Sequence, residues 1–212
     1  MSGADEQQPG LRERKKRRTR AELSWAAISL VVEHGYDDVK VEDIAAAAGV
    51  STRTFNNYFS SKGEAIAARH LDRSLQVADE LRARPAGEPL WTALTHAVQS
   101  AFTPGSEVSL PAGMDLERWE AGLVRMMAHP AWRGDLLKVS LLAEETIAAA
   151  VADRTGTDPR TDLYPNLVAS ALNAATTTVI QHRLRQQPRP PMEQLLAEAV
   201  AQLATGLPEP TR

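Results

Sequence analysis

The chain has 212 residues, 43% of them hydrophobic and 24% charged, with a formal net charge of −3 and no cysteine. That apolar share is enough for a real core and argues against global disorder. The missing thiols exclude disulfides, thiol catalysis and cysteine-type metal sites, and they permit a reducing compartment. No stretch nears the roughly 18 uninterrupted apolar residues of a membrane span and no apolar leader is visible, so a cytoplasmic protein without a membrane partner is expected.

Residues 1 to about 10 are polar, with Gly and Pro, and read as disordered. The run 11-LRERKKRRTR-20 sets Arg12, Arg14, Lys15, Lys16, Arg17, Arg18 and Arg20 against one acid, Glu13, so the rest of the chain is acidic. A basic arm over residues 1–18 on an acidic body points to a polyanionic partner reached from one end. A solvated tail and a nuclear-import signal are other readings of the same run, and only context decides between them.

A helix is expected over about 19–34, where Leu23, Ala26, Ala27, Leu30 and Val31 recur at three- and four-residue spacing and Gly35 supplies the cap. A short Ala-rich helix follows over 41–48 and ends at Gly49. Ser51 is the N-cap of a third helix over about 52–58. Ile66, Leu71, Leu75 and Ala78 mark a longer helix over about 63–84, broken by 85-PAGEP-89. Five more helices are expected over about 89–102, 115–128, 131–154, 160–185 and 191–206, with Pro/Gly-rich separators at 103–113, 156–160 and 188–191. No alternating strand pattern and no repeat appears, so the fold class is all-α.

The first three helices, joined by the short turn 48-AGVS-51, have the pattern of a helix-turn-helix, whose second helix enters the DNA major groove. Small Ala45 lets two helices approach. Val50, Phe55 and Phe59 face inward onto Ile44 and Leu30, which turns Thr52, Arg53, Asn56 and Asn57 outward. The aromatics are thus core anchors, and the polar residues between them form the reading surface.

The stretch 35-GYDDVKVEDIAAAAGVSTRTFNNYFSSKGEAI-66 resembles the N-terminal DNA-binding domain of the TetR family of bacterial transcriptional repressors. The shared features are a glycine before an aromatic, Ile-Ala, Gly-Val-Ser, Thr-Phe, an aromatic before Phe, and a downstream Lys. The C-terminal portion is similar to that of actinobacterial members such as mycofactocin-system regulators. Two positions depart from the family pattern. Asn56 stands where Tyr usually contacts phosphate, and Asn can instead read adenine. Val39-Lys40 stands where Thr or Ser usually opens the second helix, which moves that phosphate contact to Lys40.

Side-chain chemistry sets the remaining roles. Arg53 can bind guanine O6 and N7 bidentately. Thr54 suits a thymine methyl or a phosphate, and Asn57 a base or a phosphate. Tyr58 is expected to offer its hydroxyl to phosphate, as is Lys62 its ammonium. The arm, with Arg17, Arg18 and Arg20, is expected to reach the minor groove or the backbone.

The resemblance implies a helix-turn-helix domain over 19–66 and a ligand-binding and dimerisation bundle over 67–212. The implied function is a dimeric repressor on a palindromic operator of double-stranded DNA, released by a small molecule. Dimer stripes are expected on the last two helices: Leu167, Ala171, Ala174, Ala175 and Val179, then Met192, Leu195, Leu196, Ala199, Val200 and Leu203. Core use within one chain is the alternative. Trp91, Phe102, Trp119, Met126, Met127, Trp132 and Tyr164 are expected to line an apolar effector cavity, with His96, Asn173 and Thr177 orienting the ligand. An acyl chain or acyl thioester is the expected ligand.

No catalytic residue, metal site or cofactor is expected. The five histidines form no His-x3-His pair or H-E-x-x-H motif, no Gly-rich phosphate loop or nucleophile elbow occurs, and Glu144-Glu145 reads as a solvated face. An effector-independent activator or architectural DNA-binding protein remains the competing class, because it needs the same head.

Overall fold

A computed structural model describes residues 11–102 and 113–209. Their element order is α1 (Leu11–His34), α2 (Val41–Ala47), α3 (Thr52–Asn56), α4 (Lys62–Ala83), α5 (Leu90–Phe102), α6 (Leu116–Ala128), α7 (Pro130–Thr155), α8 (Leu163–Arg185) and α9 (Met192–Ala204), with no strand among the described residues. The all-α expectation holds. Most of the separator at 103–113 lies outside the described residues, as do residues 1–10 of the arm.

The arm needs one correction: α1 begins at Leu11 rather than near Thr19, so residues 11–18 are helical. The run from Leu11 to His34 contains no Gly or Pro, and Leu, Arg, Lys and Glu are good helix formers. A helix nucleated on its buried stripe (Leu23, Ala27, Ile28, Val31, Val32) therefore propagates backwards through the basic run. The exposed i,i+4 pair of Arg18 with Glu22 at 2.8 Å supports that extension.

Local caps define the head. Gly35, with φ +101°, donates its N–H to the Val31 carbonyl at 2.9 Å and ends α1. Asp43 in the first turn of α2 accepts from the Lys40 N–H at 2.9 Å. Gly49, with φ +68°, makes the turn, and the Val50 N–H returns to the Ala45 carbonyl at 2.9 Å. Ser51 caps α3 by accepting from the Thr54 N–H at 3.1 Å. Phe55 and Phe59 are fully buried, their ring centroids 5.8 Å apart. The third helix ends at Asn56, two residues earlier than expected, and Asn57 and Tyr58 form a turn. Ser61 caps α4 by accepting from the Glu64 N–H at 3.0 Å.

Two apolar cores result. The body core joins Val77, Ala78 and Leu81 of α4 to α5, α7, α8 and α9. The head core joins α1–α3 and the start of α4, and it also takes in Trp119 and Met126 of α6 and Trp132 of α7. Helix α6 lies so close to α1 that a Cβ on Gly122 would stand 2.4 Å from the Val32 carbonyl oxygen. On α4 the buried face differs from the sequence reading, because Leu75 is 43% exposed while Val77 and Leu81 carry the packing.

Buried polar groups lock the body. Glu120, 4% exposed, pairs with Arg183 at 3.3 Å and Arg189 at 2.6 Å, tying α6 to α8 and to the segment before α9. Arg154 donates to the carbonyls of Arg84, Pro85 and Glu88, fixing the α4–α5 turn to α7. Glu144 is not part of a solvated face: it accepts from Ser170 Oγ and from Asn173 Nδ2, binding α7 to α8.

The head should fail first when its anchor is cut. Phe55→Ala removes a fully buried ring, and such a truncation costs about 3–5 kcal/mol. Chemical denaturation followed by helical circular dichroism should report that loss; a change below about 1 kcal/mol would show that Phe55 is no anchor.

Candidate DNA-reading face and effector cavity

The short turn and the Ser51 cap set α3 on the head surface with its aromatic side down. Arg53, Asn56 and Asn57 are exposed, Thr52 and Thr54 half-exposed, and Tyr58 packs partly against the head core. Thr54 Oγ1 lies 2.9 Å from Ser51 Oγ, which fixes its rotamer beside the cap. Lys40 is exposed at the start of α2. All of these side chains lie at the start of α2, on α3 or in the turn that follows it.

Two cations assigned to DNA have partners inside the protein. The Lys62 ammonium donates to the Tyr36 carbonyl and, at 2.8 Å, to the Val39 carbonyl, and it stands 4.4 Å from the centre of the Tyr36 ring. It closes the α1–α2 connection, whose carbonyls have no helical partner. Arg20 pairs with Asp72 of α4 and lies 5.2 Å over Phe59, pinning α1 to α4. Arg17 and Arg18 are exposed on the extended first helix, Arg18 paired with Glu22.

Between head and body lies a cavity of about 250 Å³. Trp25 and Ile28 of α1, Ile66 of α4, Trp119 and Met126 of α6, and Trp132 of α7 form its apolar walls. Phe102, Met127 and Thr177 also line it, so six of the ten residues expected there are brought together. The other four are not. Trp91 packs against the body core, and His96 is exposed, with Nδ1 2.9 Å from Glu88. Tyr164 is exposed on the outer side of α8. Asn173 lines a small neighbouring space of about 30 Å³, with its amide nitrogen on Glu144.

Three residues on α4 that the sequence reading passed over also line the cavity: Arg69, His70 and Arg73. Arg73 lies with its guanidinium carbon 4.8 Å over the Phe102 ring. Burial, reinforced by the nearby Arg69 charge, pulls the Arg73 pKa down to about 10. The signal was present as spacing. Positions 66, 69, 70, 73 and 77 share one helical face, so charged residues at 69 and 73 occupy the inward register. Among the described residues, no group of three or more His, Asp or Glu side chains is placed to hold a metal ion.

An exposed short helix on a three-helix head, joined by shared helices to an all-helical body with a cavity at their junction, defines a helix-turn-helix transcriptional regulator. Residues 25–68 match the family model for bacterial regulatory proteins of the tetR family, and residues 88–208 match the MftR C-terminal domain. The chain belongs to the TetR family. It is 32% identical to the HTH-type transcriptional regulator TcmR of Streptomyces glaucescens, over 81% of this chain and 75% of that protein. It is 30% identical to MftR of Mycobacterium tuberculosis, named for regulating mycofactocin biosynthesis, over 82% of this chain and 84% of that protein. The fold also matches the Thermus thermophilus repressor FadR, solved with lauroyl-CoA, at a TM-score of 0.53 and 18% identity over 91% of this chain and 97% of that one. These relatives are regulators of transcription, not enzymes. Among the described residues no helix is long and apolar enough to cross a membrane.

His70 gives the cavity a pH signature. Its pKa is lowered from 6.5, first by burial, with an Asn173 hydrogen bond opposing and the Arg73 charge reinforcing. Above pH 6.5 both folded and unfolded chains hold it neutral. Below that, the unfolded chain binds a proton that the native chain refuses until the lower folded pKa is reached, so stability falls with pH across that window. His70→Gln should flatten the fall in Tm as the pH drops below 6.5 relative to the parent chain. Identical slopes would mean that His70 titrates alike in both states.

Proposed function

We propose that this regulator is a dimeric repressor that reads a palindromic operator with α3 and is released when a small molecule fills the cavity between head and body. The observation that carries the release step is the cavity's position. Its walls belong to the head helix α1 and to body helices at once, and α6 bears on the head through the Gly122–Val32 contact. A ligand held there acts on both parts, and it shifts DNA affinity if it favours an arrangement in which the two reading heads are wrongly spaced.

The reading residues of this proposal are Arg53, Asn56 and Asn57, supported by Thr52, Thr54 and Tyr58, with Lys40, Arg17 and Arg18 on the phosphates. Lys62 and Arg20 act by holding the head in shape. An acyl ligand suits the apolar walls, and the lauroyl-CoA bound by FadR is of that chemical kind.

For the dimer, the stripe expected on α9 is already in use: Leu196 and Val200 are buried in the chain's own core, with Met192, Leu195 and Ala199 packed against it. Val179 of α8 is buried there too. The open apolar surface lies instead on the outer sides of α7 and α8, where Leu137, Leu141, Leu163 and Leu167 are all more than half exposed. That face supports pairing through α7 and α8. Leu167→Arg should convert the protein to a monomer in sedimentation and weaken operator binding; a dimer that persists would exclude this face.

The operator test is a selection of the full chain on random duplex DNA. A palindrome with half-site centres about 34–36 Å apart is the expected product. Arg53→Ala should then cost about 1–3 kcal/mol on that site and relax one base position. Equal loss on random DNA would reduce Arg53 to a phosphate contact. Enrichment without any cavity ligand that changes operator affinity would favour the effector-independent reading.

A further inference from the structure

We propose that the effector is an organic anion, a compact apolar body carrying one carboxylate or comparable oxyanion, whose charge seats on Arg69 and Arg73. This deepens the reading of the cavity as an effector site and rests on it.

Arg69 and Arg73 stand one turn apart on α4, on the face that lines the cavity. The Nε of each is buried and has no hydrogen-bond partner among the described residues. Among the described residues neither guanidinium belongs to an ion pair, although acids stand on α4 itself and on neighbouring helices. Asp72 is taken by Arg20, Glu22 by Arg18, Glu144 by Ser170 and Asn173, and Glu120 by Arg183 and Arg189. The described cavity lining contains Arg69, His70, Arg73 and Arg183 and no acidic side chain. The Phe102 ring beneath Arg73 stabilises a cation by its quadrupole but accepts no N–H···O bond.

Arg69 also borders a second space that holds Glu22 and Asp72, but two like charges facing one apolar cavity whose described lining contains no acid are costly, and an oxyanion offsets both. A guanidinium presents a planar fork that matches a carboxylate, sulfonate or phosphate oxygen pair. The rest of the occupant is set by the walls. An inorganic anion would leave Trp25, Trp119, Met126 and Trp132 facing unfilled space. The cavity of about 250 Å³ sits near the lower end of small-molecule pockets, about 300 Å³, which suits a compact body.

The test uses the full chain and two fluorescent probes that differ by one sulfonate: anilinonaphthalene sulfonate and uncharged phenylnaphthylamine. The parent protein should bind the sulfonate at least about tenfold more tightly. Arg73→Met should abolish that preference while still binding the neutral dye, and it should raise the Tm of the unliganded chain, because an unpaired cation has been replaced by an apolar side chain. Should Arg73→Met not fold, Arg69→Met carries the same comparison. Equal affinity for both dyes in the parent, or a preference that survives both substitutions, overturns the proposal. So does displacement of the dye by millimolar inorganic phosphate alone, which would make this an inorganic-anion site. Operator binding measured in parallel separates the two readings. Arginine-dependent sulfonate binding that leaves operator affinity unchanged keeps the anion site and removes ligand release. Operator release by the neutral dye alone does the reverse.

Discussion

One uninterrupted helix belongs to both cores, and the rest of the architecture follows from it. The N-terminal turns of α4 bury Ala65, Ile66 and Ala68 in the head, and its later turns bury Val77, Ala78 and Leu81 in the body. A helix without a Pro or an interior break is stiff over such a length. A displacement at one end is therefore passed on instead of being absorbed. The Arg20–Asp72 pair and the Gly122–Val32 approach add two further links between head and neighbouring helices. Head and body meet through packed groups rather than through a loop, so the cavity at their junction is walled by both.

The molecule treats its buried charges in two ways. Glu120 is almost wholly buried but answered by two guanidiniums, one of which also donates to the Pro190 carbonyl at 3.1 Å. Paired in this way, a buried carboxylate fixes geometry more than it adds stability. It locks α6 against α8 and the segment before α9, which leaves α6 held on one side by the body and on the other by α1. Among the described residues the two arginines on α4 have no such ion pair, and His70 beside them is pushed toward its neutral form by burial. Electrostatics thus divides the interior into a satisfied brace and an unsatisfied pocket.

How much of this was legible in the sequence depended on whether a signal was local. The head was readable because its constraints lie within a few residues of each other. A glycine in the left-handed region at 49, a serine cap at 51 and two aromatics four apart at 55 and 59 leave α3 one inward side. The boundaries of the body helices followed from Pro and Gly for the same reason. Assignment by residue type left out the partners that the fold itself supplies. Lys62 was given to DNA as a cation at the start of the next helix and Arg20 as part of the basic arm, and carbonyls of the α1–α2 connection and the Asp72 carboxylate hold them. Tyr164 was given to the cavity as part of its apolar wall and His96 as a polar residue on an apolar helix, but each is exposed. The stripe on α9 was real, and only tertiary packing decides whether such a stripe meets its own chain or a partner. The arginines at 69 and 73 were missed because charge on a helix is ordinarily a solvated face. Their register with Ile66 and Val77 placed them inward.

The energy needed for switching is small compared with what this cavity can offer. Allosteric coupling in proteins is about 1–3 kcal/mol, enough for a 5- to 150-fold change in affinity. A hydrogen bond to a charged group is worth about 1.5–3 kcal/mol net. A single guanidinium contact made in one head arrangement and lost in the other therefore supplies the whole coupling. Tight binding alone would not: a ligand that meets Arg69 and Arg73 equally well in both arrangements shifts nothing. Position is what favours discrimination here. The two arginines ride on α4, the helix that carries the head, while Trp119 and Met126 on the opposite wall ride on α6, which is anchored to the body through Glu120. A ligand that spans the two walls would act on operator binding only if the distance between those helices differs between the two head arrangements.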